Sequence, residues 1–172
     1  MLITGRQTLQ DAASVLLEKT TASFQAQRDM KTPPLNILLV EDNPADAYLT
    51  LLALQDHELC QDIRVVEHGE QALAFLRKEG GYAEAFRPDL IVLDLNLRRM
   101  DGFSLLSTVK SDPAFRTIPV VILSTSSAEK DLTQAYLLGA AHYLVKPNDL
   151  QGCLKFGHTL AQVWKRLTST TT

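Results

Sequence analysis

Short apolar runs alternate with longer amphipathic stretches along the chain from Asn36 onward. The runs are rich in Ile, Leu or Val, each is short enough to be one β-strand, and they lie at residues 36–41, 63–67, 90–94, 120–124 and 141–145. Their apolar residues are nearly continuous rather than alternating. This pattern predicts strands that are buried on both faces, as in a parallel sheet covered by helices.

The stretches between these runs have helical periodicity, at residues 44–55, 69–77, 102–110, 129–138 and 149–167. In the first stretch one set of apolar residues recurs at spacings of three and four, which predicts one buried face made of Ala45, Leu49, Leu52 and Ala53. Pro44 suits a first helical turn, and Asn43 could cap it. Five βα repeats predict an α/β fold, a flavodoxin-like doubly wound sandwich with strand order 2-1-3-4-5.

Two terminal segments lie outside this repeat. We predict a helical extension over residues 1–34, because residues 8–27 could form a helix with an apolar stripe of Leu9, Ala13, Leu16, Leu17 and Phe24. The extension would serve docking or dimerisation; the alternative is a natural start at Met30 with an upstream stretch of little consequence. The main domain is then residues 35–167, followed by a disordered polar tail over residues 168–172.

Composition narrows the class of protein. A chain of 172 residues suits one domain with an appended segment. The net charge of −3 argues against nucleic-acid binding, and the absence of a long apolar run predicts a cytoplasmic protein without a membrane segment or secretory signal. Cys60 and Cys153 are far apart in the sequence and are interpreted as reduced thiols.

Polar side chains mark the ends of four predicted strands. Glu41 and Asp42 end the first strand, Asp94 the third and Ser124 the fourth, while Lys146 follows the fifth. In open parallel sheets, sites form beyond the carboxyl ends of the strands, where the strand order reverses. We therefore expect these side chains to share one crevice.

This set of residue types is suited to phosphoryl transfer. Carboxylates about 4 Å apart repel each other by roughly 4 kcal/mol at an effective dielectric constant of about 20, so they either raise their pKa values or bind a cation such as Mg²⁺. Lys146 and Ser124 could hold phosphoryl oxygens, and Asp94 would be the nucleophile. Each residue alone has a simpler explanation, as a helix cap or a solvated side chain. Their occurrence together favours the functional interpretation.

At these residues the chain resembles the response regulator receiver family, over about residues 35–167. The matching motifs are Leu38-Leu39-Val40-Glu41-Asp42-Asn43, Leu93-Asp94-Leu95-Asn96-Leu97, Asp101-Gly102, Ile122-Leu123-Ser124 and Tyr143-Leu144-Val145-Lys146-Pro147. The resemblance implies that Asp94 is the phosphoacceptor and that Mg²⁺ is held by Glu41, Asp42, Asp94 and the backbone carbonyl of Asn96. It also implies that Ser124 is the switch hydroxyl, Tyr143 a rotating aromatic and Lys146 the phosphate-binding lysine.

The resemblance gives two further residues structural roles, Gly102 in the Asp101-Gly102 motif and Pro147, whose bond to Lys146 is expected to be cis. The chain also departs from the family pattern. Arg98 stands where relatives often have proline, which would alter the flexibility of its loop. Thr125 stands where many relatives have alanine and could restrict the entry of small phosphodonors.

The resemblance also implies partners. The chain looks like the single-domain regulators paired with bacterial and cyanobacterial phytochromes, so the expected phosphodonor is a histidine kinase. One helix remains after Lys146, too little for a DNA-binding output domain. We therefore expect the signal to leave through a homodimer formed by the fourth helix, fifth strand and fifth helix, a face that includes Tyr136 and Tyr143. Trp164 could belong either to this face or to the core.

Two alternatives remain at this point. Haloacid dehalogenase-type phosphatases also use an aspartate nucleophile, but they place it before the acidic pair and carry a second aspartate two residues later, where this chain has Asn96. The other alternative is an unphosphorylated scaffold with the receiver shape. We favour a regulator that catalyses only its own phosphorylation and dephosphorylation and is otherwise not an enzyme.

Overall fold

The computed structural model describes residues 35–55, 60–147 and 150–169. Its five parallel strands form one sheet in the order β2-β1-β3-β4-β5, which confirms the predicted topology. The strands are β1 Leu35–Val40, β2 Cys60–Val66, β3 Leu90–Asp94, β4 Val120–Ser124 and β5 His142–Val145. The helices are α1 Pro44–Gln55, α2 Gly69–Arg77, α3 Gly102–Ser111, α4 Glu129–Leu137 and α5 Leu150–Ser169, with a short 3-10 turn at Gly80–Tyr82.

The sheet is buried on both faces. In β1, Leu38 and Val40 belong to a core formed with α2, α3 and α4, whereas Ile37 and Leu39 belong to a second core formed with α1 and α5. Successive side chains of a strand point to opposite faces, so helices on both sides require apolar residues at every position. This explains why the strands are continuous apolar runs in the sequence.

The predicted element boundaries are confirmed for β3, β4, α1 and α2, and the remaining elements differ by one to three residues. The largest difference is in β2, which begins at Cys60 rather than at residue 63. Asp62 pairs there with Asn36 of β1. This edge strand pairs through its backbone, so the ladder continues through polar positions that an apolar pattern does not reveal.

The buried face predicted for α1 was largely wrong. Ala45 is exposed, and Leu49 and Leu52 are 37% and 40% exposed, whereas Ala53 is buried as expected. The face that packs on the sheet also contains Ala47, Thr50 and Leu54. Apolar residues surround this helix almost evenly, so their spacing does not define which side faces the core.

The last helix continues two residues beyond the predicted end. Thr168 and Ser169 are helical, and their hydroxyls donate to backbone carbonyls one turn earlier, at 2.7–3.1 Å. Trp164 is 8% exposed and packs in the core with α1 and the sheet, which decides between its two interpretations. The extension predicted over residues 1–34 and the tail residues 170–172 lie outside the described residues.

No helix among the described residues is long and apolar enough to cross a membrane.

Candidate functional site

Four strands deliver polar side chains to one edge of the sheet, as predicted. Asp94 and Ser124 are the last residues of β3 and β4, while Glu41 and Lys146 directly follow β1 and β5. All four residues are buried, with exposures between 0% and 9%. Burial of two acids and one lysine is costly unless they pair, so the contacts among them decide what the site can do.

The Lys146 ammonium joins three carboxylates. Its Nζ lies 2.6 Å from Glu41 Oε2, 2.8 Å from Asp94 Oδ2 and 2.9 Å from Asp46 Oδ2. Asp46, in the first turn of α1, is the residue that our sequence reasoning missed. Asp46 is the acidic residue in the first turn of the helix that directly follows the end of β1, and this position at the edge of the crevice is the signal that could have identified it.

Burial and charge shift the pKa values of two groups in the cluster. Burial raises the pKa of the Glu41 carboxyl to about 7; the hydrogen bond from Lys146 opposes this shift and the Asp94 charge adds to it. Burial also acts to lower the pKa of Lys146, but hydrogen bonds to the three carboxylates outweigh burial and raise this pKa above its usual value. The lysine is therefore a permanent cation at neutral pH.

The acidic residues are arranged as cation ligands. One ligand atom from each of Glu41, Asp42 and Asp94 can be chosen so that all three lie within 4.8 Å of one another. The buried Oδ2 atom of Asp42 makes no hydrogen bond in the described structure, although Arg98 Nε lies 3.2 Å away. An under-satisfied buried carboxylate oxygen beside two other carboxylates fits a divalent cation that prefers oxygen ligands.

Asn96 contributes to the site through its backbone and its side chain. Its backbone N–H donates a hydrogen bond to Asp94 Oδ1 at 3.1 Å, which orients the Asp94 carboxylate. Its side-chain Nδ2 donates to Thr125 Oγ1 at 3.2 Å, which ties the loop after β3 to the loop after β4. The metal contact of the Asn96 carbonyl stays a prediction.

The two predicted switch residues are connected through Ser126. Ser124 is fully buried, and its hydroxyl accepts a hydrogen bond from Ser126 N at 3.2 Å. Tyr143 is 7% exposed, and its hydroxyl donates to the Ser126 carbonyl at 2.8 Å. The Tyr143 ring is thus buried in the core, with its hydroxyl directed to the loop after β4.

Gly102 supports the site through close backbone contact. A Cβ atom at this position would lie 2.6 Å from Leu95 Cα and 2.7 Å from the Asp94 carbonyl oxygen. The preceding residue, Asp101, caps α3 by accepting a hydrogen bond from Ser104 N at 3.2 Å. The Asp101-Gly102 motif therefore allows α3 to start directly against the strand end that carries Asp94.

The expected cis peptide bond before Pro147 was wrong, because the Lys146–Pro147 bond is trans. The trans form is favoured intrinsically by about 0.5–1 kcal/mol for such bonds. The lysine needs no cis bond to reach the site, since its backbone N–H donates to the Ser124 carbonyl at 2.8 Å and its ammonium is held by three carboxylates.

Comparison with known proteins shows similarity over most of the chain. The model of the response regulator receiver domain matches residues 37–155. The response regulator Rcp1 of Synechocystis sp. is 38% identical over 136 residues, which cover 79% of this chain and 92% of Rcp1.

Solved structures extend the similarity to the fold. The phosphorylated cyanobacterial phytochrome response regulator RcpA is 41% identical with a TM-score of 0.73, over 81% of this chain and 98% of RcpA. The Mn²⁺-bound form of Rcp1 is 37% identical with a TM-score of 0.70, over 76% of this chain and 94% of Rcp1. The chain therefore belongs to the response regulator receiver family of two-component signalling, and its phytochrome-linked members are among its relatives.

Proposed function

We propose that Asp94 accepts a phosphoryl group from the phosphohistidine of a histidine kinase, with Mg²⁺ as the cofactor. The observation that carries this proposal is the Lys146 ammonium, 2.8 Å from Asp94 Oδ2 in a buried carboxylate cluster. A carboxylate, a fixed cation and cation-binding acids are the parts that phosphoryl transfer needs, because catalysis there is mostly positioning and charge neutralisation.

In the proposed step, one carboxylate oxygen of Asp94 attacks phosphorus. The P–N bond to the kinase imidazole breaks, and its electron pair returns to the imidazole nitrogen. Asn96 N–H holds Asp94 Oδ1 at 3.1 Å and so orients the nucleophile. Glu41, Asp42, Asp94 and the Asn96 carbonyl would hold Mg²⁺, which would neutralise the charge on the phosphoryl oxygens.

After transfer, the phosphoryl oxygens on Asp94 attract the Lys146 ammonium and the Ser124 hydroxyl. Lys146 exchanges a carboxylate contact for a phosphoryl oxygen, and the Ser124 hydroxyl donates to another. To change a two-state switch from mostly off to mostly on takes about 5.5 kcal/mol. The Ser124 contact is new and supplies about 1.5–3 kcal/mol of that amount, whereas Lys146 supplies the difference between its phosphoryl contact and the carboxylate contact that it gives up. Because Ser124 and Tyr143 both bond to Ser126, movement of Ser124 is transmitted to the position of the tyrosine.

The proposed output is homodimerisation through α4, β5 and α5. Several large apolar side chains on α4 and β5 are exposed: Leu132 by 38%, Tyr136 by 44%, Leu137 by 83% and Val145 by 51%. Exposed apolar side chains that cluster on one face are typical of a protein interface. Tyr143 lies in β5, so a change in its position directly alters this face.

The proposed input is a histidine kinase of the phytochrome type, acting in the cytoplasm where the kinase makes its phosphohistidine from ATP. Support comes from RcpA, a cyanobacterial phytochrome response regulator. The kinase must bring its histidine to Asp94 and so must contact the rim of the site. α1 begins at the site with Asp46, and it exposes apolar side chains, with Tyr48 62% and Leu52 40% exposed.

The phosphatase alternative is not favoured. The acidic pair directly follows β1 and precedes the Asp94 nucleophile, and the position of the second catalytic aspartate is occupied by Asn96, whose side chain donates to Thr125. The chain's own catalysis is therefore limited, in this proposal, to its gain and loss of the phosphoryl group.

The test is the intact mass of the full chain after incubation with Mg²⁺ and either acetyl phosphate or a phosphorylated histidine kinase. We expect a gain of one phosphoryl group, which is lost when Mg²⁺ is removed and in Asp94→Asn. Asp101→Asn is the matched control, because Asp101 caps α3 and does not belong to the carboxylate cluster. No gain with either donor would support the scaffold alternative and refute the proposal.

A further inference from the structure

Arg98 makes an ion pair with one of the proposed cation ligands. It lies in the loop after β3, and its Nε is 3.2 Å from Asp42 Oδ2. The two side chains differ in exposure, at 82% for the arginine and 14% for the aspartate. The arginine therefore reaches from solvent onto a carboxylate of the site.

The contact is electrostatic rather than a directed hydrogen bond. The Asp42 Oδ2 atom is buried and makes no hydrogen bond within the described residues, although the guanidinium is at ion-pair distance. A contact without hydrogen-bond geometry is more easily replaced by an incoming ligand than an aligned one.

The charges of the cluster divide between two cations. Glu41, Asp46 and Asp94 are bound by the buried Lys146, and Asp42 is approached by the exposed Arg98. Among the described residues Lys146 is held by three hydrogen bonds, whereas no hydrogen bond holds the Arg98 side chain, so Arg98 is the cation more easily displaced from a carboxylate of the cluster.

We propose that Arg98 competes with the divalent cation for Asp42 and thereby lowers the affinity of the site for that cation. The inference rests on the proposed function, because it assumes that Asp42 is a ligand. Its consequence is that the arginine sets the Mg²⁺ concentration at which the site becomes competent for phosphoryl transfer.

Arg99 provides a matched control for this inference. It is exposed like Arg98 and lies in the same loop, but its Nη1 is directed to His68 Nε2, at 3.2 Å. Arg98→Ala and Arg99→Ala therefore remove the same charge from adjacent positions, and only the first removes the contact to Asp42.

The experiment measures the dissociation constant of Mn²⁺ by calorimetric titration of the unphosphorylated full chain at fixed ionic strength. We expect Arg98→Ala to bind Mn²⁺ about two- to fivefold more tightly than wild type, the size expected when an exposed ion pair no longer has to be broken. Arg99→Ala should change the constant by less. In an Asp42→Asn background, Arg98→Ala should have little further effect.

Each of the following results would overturn the inference. Equal tightening in both arginine variants would show a general charge effect rather than competition for Asp42. Weaker binding in Arg98→Ala would mean that the arginine holds Asp42 in place for the ion. Tight Mn²⁺ binding that is insensitive to Arg98 would overturn the inference but leave the metal site standing. If wild type binds no Mn²⁺ at all, the metal site of the proposed function fails as well.

Discussion

At the scale of single residues, the site depends on side chains and backbone atoms that approach very closely. Lys146 illustrates the side chains, since one ammonium group joins carboxylates from the loop after β1, from α1 and from β3. Removal of one partner of such a buried pair leaves an uncompensated charge. Gly102 illustrates the backbone, because the peptide of Asp94 and Leu95 occupies the space where a Cβ atom would lie.

We predict that Gly102→Ala destabilises the fold by about 1–3 kcal/mol, the usual cost of added atoms in a closely packed position. Gly81→Ala is the control, since a Cβ atom there would meet nothing within 4 Å. Chemical denaturation of both variants measures the free energy of unfolding. A similar stability for Gly102→Ala and wild type would show that α3 can move away from the strand end at little cost.

At the scale of elements, two helices present apolar side chains on different surfaces. α4 exposes Leu132, Tyr136 and Leu137, beside Val145 of β5. On α1, which begins at the site with Asp46, the exposed apolar residues are Tyr48 and Leu52. The proposed dimer uses the first surface and the proposed kinase contact uses the second, so the two interactions should be separable by mutation.

We predict that Leu137→Asp weakens dimerisation of the phosphorylated chain, because it places a charge in the proposed interface. Leu52→Asp introduces the same charge on α1 and should leave the dimer intact but slow phosphoryl transfer from a kinase. Light scattering after size-exclusion chromatography gives the molar mass, and the rate of phosphorylation gives the second measurement. Loss of the dimer in Leu52→Asp with its retention in Leu137→Asp would assign the two surfaces the other way round.

At the scale of the whole molecule, the pH dependence of stability reports groups that change their pKa on folding. His142 begins β5, where it pairs with Val121. Burial lowers its pKa, and the positive charge of Arg166 on α5 acts in the same direction. The unfolded chain therefore binds a proton at a higher pH than the folded chain does, so this residue reduces stability as the pH falls below about 6.5.

We predict that, as the pH falls from about 7.5 to 5.5, His142→Gln loses less stability, or gains more, than wild type, because the variant lacks a group whose pKa is lowered on folding. The Glu41 carboxyl, whose pKa is raised to about 7 in the folded chain, changes stability in the opposite direction in this range, but it does so in both proteins. The effect should be small, since the residue is only partly buried. Denaturant unfolding at a series of pH values checks the slope. If the free energy of unfolding of the variant depends on pH as that of wild type does, His142 does not contribute to this dependence.

Much of the architecture follows from local patterns. The bounds of β3 and β4 were predicted because strands covered by helices on both faces need unbroken apolar runs. The strand order was predicted because five βα repeats are typical of the doubly wound fold. The crevice was also predictable, since the carboxyl ends of parallel strands meet at one edge of the sheet and Asp94 and Ser124 end two of them.

The sequence by itself therefore determined the strands, their order and the residue types gathered at one edge. Only the tertiary structure decided which side of α1 faces the core, that Asp46 shares Lys146, that Arg98 covers Asp42 and that the bond before Pro147 is trans. The physical reason is distance along the chain. Periodicity reports the environment of residues that are close together in the sequence. Lys146 and Asp46 are 100 residues apart and meet only when β5 joins the sheet on which α1 packs.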